Sequence, residues 1–225
     1  MGRPREHDER TREDLRAAAE LLVAEGGPDA LSVRAVAGEA GTTTRAVYSI
    51  FGSKDGLVAA LAQTAFELLY DNIDRLPETD DPVADLVAVG TKVVRGLVRE
   101  HPALYRIAFQ RIAGLQPEPG LVAARERAWV QLQGRVQRVK DAGLLGRKAV
   151  PDAARELNAM WEGLANAELR GDVLRIMPRS EEEGAWSEAL TTVLRGFRDS
   201  TPSRKRTSPT RPRKSSRAPR ATSAG

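Results

Sequence analysis

The chain has 225 residues, no cysteine, two histidines and a net charge of +4. Without thiols there is no disulfide framework and no thiolate metal site, and His7 and His101 stand apart from any cluster suited to catalysis or metal binding. No apolar run reaches the ~18 residues of a membrane span, and the opening Met-Gly-Arg-Pro-Arg-Glu lacks an apolar signal core, so a cytoplasmic protein with no cofactor and no enzyme activity is expected.

The charge is unevenly placed. Residues 201–225 carry eight lysines and arginines and no acid. Removing those eight charges from the net +4 leaves residues 1–200 at −4. The segment 200–225 is rich in Ser, Thr and Pro and has almost nothing to bury, which predicts a disordered basic tail. Such a tail either adds salt-sensitive affinity for DNA phosphates or serves only as a solubilising extension.

In chain order, helical periodicity dominates and predicts an all-α fold of about nine helices. The first helix is expected to open at Thr11, boxed by Asp14, and to bury Leu15, Ala18, Ala19 and Leu22 before Gly26-Gly27-Pro28 stops it. Residues 32–51 then read as two short helices about a tight turn. Val33, Val36, Ala37 and Ala40 form the buried stripe of the first. Gly41 suits the turn, Thr42 and Thr43 offer N-cap oxygens, and Val47, Ile50 and Phe51 line the inner side of the second. Thr44, Arg45, Tyr48 and Ser49 are left facing outward. This is the pattern of a DNA-reading helix-turn-helix. A long fourth helix, capped by Ser53, runs through Leu57, Leu61, Ala65, Leu68 and Leu69 towards Arg75.

The run from Ala40 to Leu57 resembles the signature of TetR-type (tetracycline-repressor-type) transcriptional regulators, in Gly41, Thr43, Val47-Tyr48, Phe51, Ser53-Lys54 and Leu57. Ile50 departs from it, standing where the family more often has a His or another polar or aromatic residue. The resemblance implies a small DNA-binding domain joined to a larger helical domain that dimerises and often binds a ligand. The expected division is 9–69 for the DNA-binding domain, with its helix-turn-helix at 32–51, and 82–199 for the effector and dimerisation domain.

After a turn at Leu76 to Pro82, five more helical patterns follow. They comprise Val83 to Glu100, a shorter helix through Tyr105 and Phe109, a long one from about Leu121 after a break at Gly114 to Gly120, one opened by Pro151, and one opened by Ser180 with Glu183. His101-Pro102 and the segment Leu157 to Leu164 resemble a regulator subfamily with a Trp-His-Gly signature. Here it reads Trp161-Glu162-Gly163, with an acid where the histidine would stand.

The residues expected to touch DNA are Arg34, Thr43, Thr44, Arg45, Tyr48, Ser49 and Lys54. Arg45 suits a fork onto guanine O6 and N7, and Thr44 and Ser49 suit base edges. The resemblance assigns phosphate to Thr43 and Tyr48, with a buried tyrosine as the alternative for Tyr48. Lys54 opposes the macrodipole of the fourth helix, which makes sense if a phosphate lies between them. Arg34 is a second phosphate clamp, and Arg3 and Arg5 form a short arm suited to a minor groove.

Phe66, Tyr70, Tyr105, Phe109, Trp129, Met160 and Trp161 are the large groups suited to line a ligand cavity, or else ordinary core. Glu162, Asn158 and Asn166 either orient a ligand or face a dimer partner. Leu157, Trp161, Leu164, Leu190, Val193 and Phe197 are the expected apolar faces of a four-helix dimer contact. The sequence thus points to a homodimeric regulator of a palindromic operator in double-stranded DNA, a repressor released by an unknown, largely apolar small-molecule effector. The alternative is an architectural DNA-binding protein of low specificity, aided by the tail.

Overall fold

Glycine, proline and short polar caps divide the chain into helices, and amphipathic stripes pack them. The computed structural model describes residues 3–111, 118–171 and 182–199, and among these residues there are nine helices and no strand. They are α1 (Arg3–Gly26), α2 (Val33–Glu39), α3 (Thr44–Phe51), α4 (Lys54–Arg75), α5, α6, α7 (Pro119–Asp141), α8 (Val150–Arg170) and α9 (Glu182–Asp199). Helix α5 comprises Pro82–Ala88, a π-helical stretch Val89–Val94 and Arg95–Glu100, and α6 comprises Pro102–Arg106 and a π-helical stretch Ile107–Arg111.

Two boundaries differ from the sequence expectation. Helix α1 starts at Arg3 rather than Thr11, because the charged residues from Glu6 to Arg10 are adequate helix formers and Pro4 is tolerated in a first turn. Helix α7 begins at Pro119, so Gly120 lies in its first turn and not in the preceding break. The π stretches left no trace in the apolar periodicity. Within α1, Val23 is fully buried, whereas Leu22 is only partly buried. Ser180, the expected start of the last helix, and the tail 200–225 lie outside the described residues.

Helices α1 to α3 form a small bundle around Leu15, Ala19, Val23, Val36 and Val47. Helix α4 leaves this bundle and packs along α7, with Leu57, Leu61, Ala65 and Leu69 in its buried stripe. The two helices approach closely where a Cβ on Gly120 would stand 2.3 Å from Gln63 Oε1. A second close approach lies in the first π stretch, where a Cβ on Gly90 would meet Trp161 Nε1 at 2.6 Å and Leu190 at 2.5 Å. A side chain there would exclude α8 and α9 from their places against α5.

Two polar clusters lock the larger bundle. Arg95 of α5 pairs with Glu168 of α8 at 2.9 Å, and Trp186 Nε1 of α9 donates to the same carboxylate at 3.0 Å. The link between α4 and α5 is pinned at Thr79, whose amide and hydroxyl donate to Asp85 at 2.8 and 2.7 Å, with Arg138 of α7 on the same carboxylate. Burial pushes the Asp85 carboxyl up, but Arg138 and the two Thr79 bonds together outweigh it and hold it below the usual carboxylate range.

Among the described residues, no helix is long and apolar enough to cross a membrane.

Candidate nucleic-acid interface and internal cavity

Helix α2 is opened by Ser32, whose Oγ accepts from Ala35 N at 3.1 Å. After α2 the chain turns at Gly41, with φ at +62°, a backbone state that side-chain-bearing residues rarely adopt. Thr43 then caps α3, its Oγ1 accepting from Ala46 N at 3.2 Å. The cap uses the hydroxyl as an acceptor, so its O–H can still donate outward. Val47 is completely buried at the centre of α3, with Ile50 and Phe51 half-buried beside it. Arg12 of α1 lies over the Phe51 ring, 5.5 Å from its centroid, and ties α3 to α1.

This packing leaves Thr44, Arg45, Tyr48 and Ser49 exposed on one face of α3. Tyr48 is 54% exposed, so the alternative of a buried tyrosine does not hold. Thr43, Arg34 and Lys54 are exposed as well. Lys54 is the first residue of α4, and Ser53 Oγ accepts from Gly56 N at 2.9 Å. The cap satisfies one of the N–H groups at that helix start, and the others have no intrahelical partner. A cation beside N–H donors suits a phosphate oxygen. Side chains before residue 9 lie outside the description, so Arg3 and Arg5 are placed only as backbone of α1.

A cavity of about 680 Å³ opens among α4 to α8. Helix α4 contributes Phe66, Leu69 and Ile73, α5 contributes Val94, and α6 contributes Tyr105, Ala108 and Phe109. The far wall is Val122, Arg125, Glu126, Ala128, Trp129 and Leu132 of α7, with Asn158, Trp161 and Glu162 of α8. Tyr105 and Phe109 stack with centroids 4.6 Å apart, and Phe109 meets Phe66 at 5.4 Å, so the aromatic wall runs from α6 onto α4.

Five of the seven aromatic and methionine residues expected at a cavity therefore line one. Tyr70 and Met160 do not. Tyr70 sits under the Arg127 guanidinium, 5.4 Å from it, and Met160 packs against the core. Asn166 also lies away from the cavity and accepts from Gln110 at 2.7 Å. Sequence reasoning missed Arg125 and Glu126. Arg125 stands one turn from both Leu121 and Trp129 on α7, a spacing that would have put it on the same side.

The expected dimer face also needs correction. Leu157, Trp161, Leu190 and Phe197 are 0 to 5% exposed within the single chain and have almost no surface left for a partner. Leu164 and Val193 are only half-buried.

The comparisons with known proteins fit this arrangement. Residues 15–61 match the model for bacterial regulatory proteins of the tetR family, and residues 86–194 match the tetracyclin repressor-like C-terminal domain. The chain belongs to the TetR family. Among curated relatives, the HTH-type transcriptional regulator Rv1816 of Mycobacterium tuberculosis is 33% identical over 106 residues, 45% of this chain and 42% of that protein. The chain thus spans less than half the length of the curated relatives it matches. Among solved structures, a protein of unknown function from Rhodococcus sp. RHA1 superposes with a TM-score of 0.71 at 24% identity, covering 84% of this chain and 96% of that one. The TetR family regulator PfmR from Thermus thermophilus gives 0.63 at 23% identity, covering 81% and 98%. These structural likenesses bear on the fold alone. In TetR terms, α1 to α3 fall largely in the N-terminal match and the cavity largely in the C-terminal one, while α4 starts in the first and ends at Arg75, before the second begins.

Proposed function

We propose that this chain is a sequence-specific DNA-binding transcriptional repressor, acting as a homodimer on a palindromic operator. The observation that carries the reading is the exposed face of α3, where Thr44, Arg45, Tyr48 and Ser49 project from a helix whose opposite side is fixed by buried Val47. Arg45 reads a base edge. Thr43, Tyr48, Arg34 and Lys54 hold phosphates and set the register. One such helix covers only a few base pairs, so a second copy on the same side of the duplex supplies the rest of the specificity, with half-sites about 34–36 Å apart or a multiple of that.

The cavity supports the second half of the reading, release by a small, largely apolar effector. Its volume of about 680 Å³ falls within the range of ligand sites, roughly 300–1,000 Å³. Helix α4 carries Lys54 at its first turn and Phe66, Leu69 and Ile73 at the cavity wall. A ligand that displaces the cavity end of α4 shifts the DNA-facing end as well, and two reading heads no longer match both half-sites.

Selection of random duplexes by purified protein, with and without residues 201–225 and at two salt concentrations, tests the first half. A palindromic motif retained without the tail supports the repressor reading. Binding that loses all preference, or vanishes when the tail is removed, favours an architectural role instead. Sedimentation gives the second check, since a monomer both free and on DNA would overturn the dimer.

A further inference from the structure

The cavity wall is mostly apolar, and its few polar groups are not balanced. Asn158 Nδ2 donates to Glu162 Oε1 at 2.6 Å, which holds the carboxylate in place against the space. A carboxylate has about four acceptor sites, and Asn158 fills one. Among the described residues no cation stands within ion-pairing distance of Glu162. The other charged groups of the wall, Arg125 and Glu126, are neighbours on α7, both exposed and of opposite sign. Facing the space from α6 is Tyr105, 1% exposed, with a buried hydroxyl that finds no hydrogen-bond partner. Burial first, and the Glu162 charge second, push that phenol above its usual range, so it remains an O–H donor. An unmatched buried donor and an acceptor-rich carboxylate lining the same cavity are the signs of a missing polar guest.

We propose that the effector is an apolar, preferably aromatic molecule bearing a basic nitrogen, whose cation is held by Glu162. This deepens the effector reading above and rests on it. The rings of Phe66, Phe109 and Trp129 take the apolar body. The ammonium donates to the lone pairs of Glu162 that Asn158 leaves open, and an oxygen on the ligand, where it has one, accepts from Tyr105. A carboxylate ligand would instead meet the negative charge of Glu162 inside the cavity and, among the described lining residues, find a counter-charge only in the exposed Arg125.

Calorimetric titration of the full chain with three probes on one skeleton tests this: 1-naphthylmethylamine, 1-naphthylmethanol and 1-naphthoate. The amine should bind about 10- to 100-fold more tightly than the alcohol, the range expected for one charged hydrogen bond, and 1-naphthoate should bind most weakly. Glu162→Gln, which keeps shape and removes charge, should bring the amine down to the level of the alcohol. The proposal is overturned if the amine binds no better than the alcohol, if 1-naphthoate binds best, or if Glu162→Gln keeps the preference. Failure of all three probes to bind up to their solubility limits overturns the effector cavity itself. Binding is scored on free protein, so a charge preference without any effect on operator DNA would count against the regulatory reading alone.

Discussion

Arg135, 4% exposed in the middle of α7, donates from Nη2 to the carbonyl oxygen of Ile73 in the last turn of α4 at 2.7 Å. The same nitrogen donates to Leu76 O at 2.7 Å, and Nη1 reaches Pro77 O at 3.3 Å. Ile73 O also accepts from Leu76 N at 3.2 Å, and Leu76 and Pro77 lie just beyond the helix, so one guanidinium gathers the carbonyls of this helix end while countering its negative pole. The end of α4 away from DNA is therefore fastened to a helix of the cavity wall.

Arg135→Met should consequently destabilise the protein by about 3 kcal/mol, because one buried and two partly buried hydrogen bonds from a charged donor are lost at once. Chemical denaturation measures it. A variant as stable as the parent would show that the helix end finds water or another donor instead.

Arg45→Ala and Lys54→Ala should fail in different ways. Loss of Arg45 should relax preference at one base pair of each half-site, at a cost of about 1–3 kcal/mol. Loss of Lys54 should weaken all sequences alike and reduce the salt slope by about one. Identical changes in the selected motif would show that the two side chains do not divide the work.

Gly56→Ala should disable DNA binding without touching a DNA contact. A Cβ at Gly56 would stand 2.0 Å from the carbonyl oxygen of Phe51. Backbone cannot yield as a flexible side chain does, so α3 and α4 must part. The expected outcome is a protein that keeps its helical circular dichroism but loses operator affinity and melts earlier. Wild-type affinity in the variant would mean that the α3–α4 junction has slack.

Acid should loosen the joint between α4, α5 and α7 through Asp85. Its carboxyl is held below the ordinary value of 3.8 in the folded chain. A depressed acid contributes stability that is complete above its unfolded pKa and is lost as pH falls through the folded value. The stability advantage of the parent over Asp85→Asn should therefore shrink as pH drops below 3.8. Equal advantage at all pH values would show that Asp85 acts through shape rather than charge.

An effector found by thermal stabilisation should lower operator affinity by roughly 5- to 150-fold, a coupling of about 1–3 kcal/mol. Operator DNA must then weaken effector binding by the same factor. Stabilisation without any effect on DNA binding would separate the cavity from regulation.

Local physical chemistry determined much of this protein by itself. Ser32, Thr43 and Ser53 each precede an amphipathic stripe, and each accepts a backbone N–H three residues on, because a cap needs only its own helix start. The outward face of α3 was legible for the same reason. With Val47 buried, the 3.6-residue period leaves Thr44, Arg45, Tyr48 and Ser49 on the other side. Those features depend on neighbours within one or two turns.

The cavity and its chemistry were decided by tertiary structure. Phe66 and Tyr70 are one turn apart on α4 and look alike in sequence, yet Phe66 meets Phe109 on the cavity wall while Tyr70 lies beneath Arg127. Leu157 and Leu190 looked available to a partner copy, but folding of one chain already buries them. The π stretches at Val89–Val94 and Ile107–Arg111 turn α5 and α6 off the period that an apolar pattern assumes. Which side of a helix meets a space, a neighbour or water depends on how separate helices cross, and that is set by residues far apart in the chain.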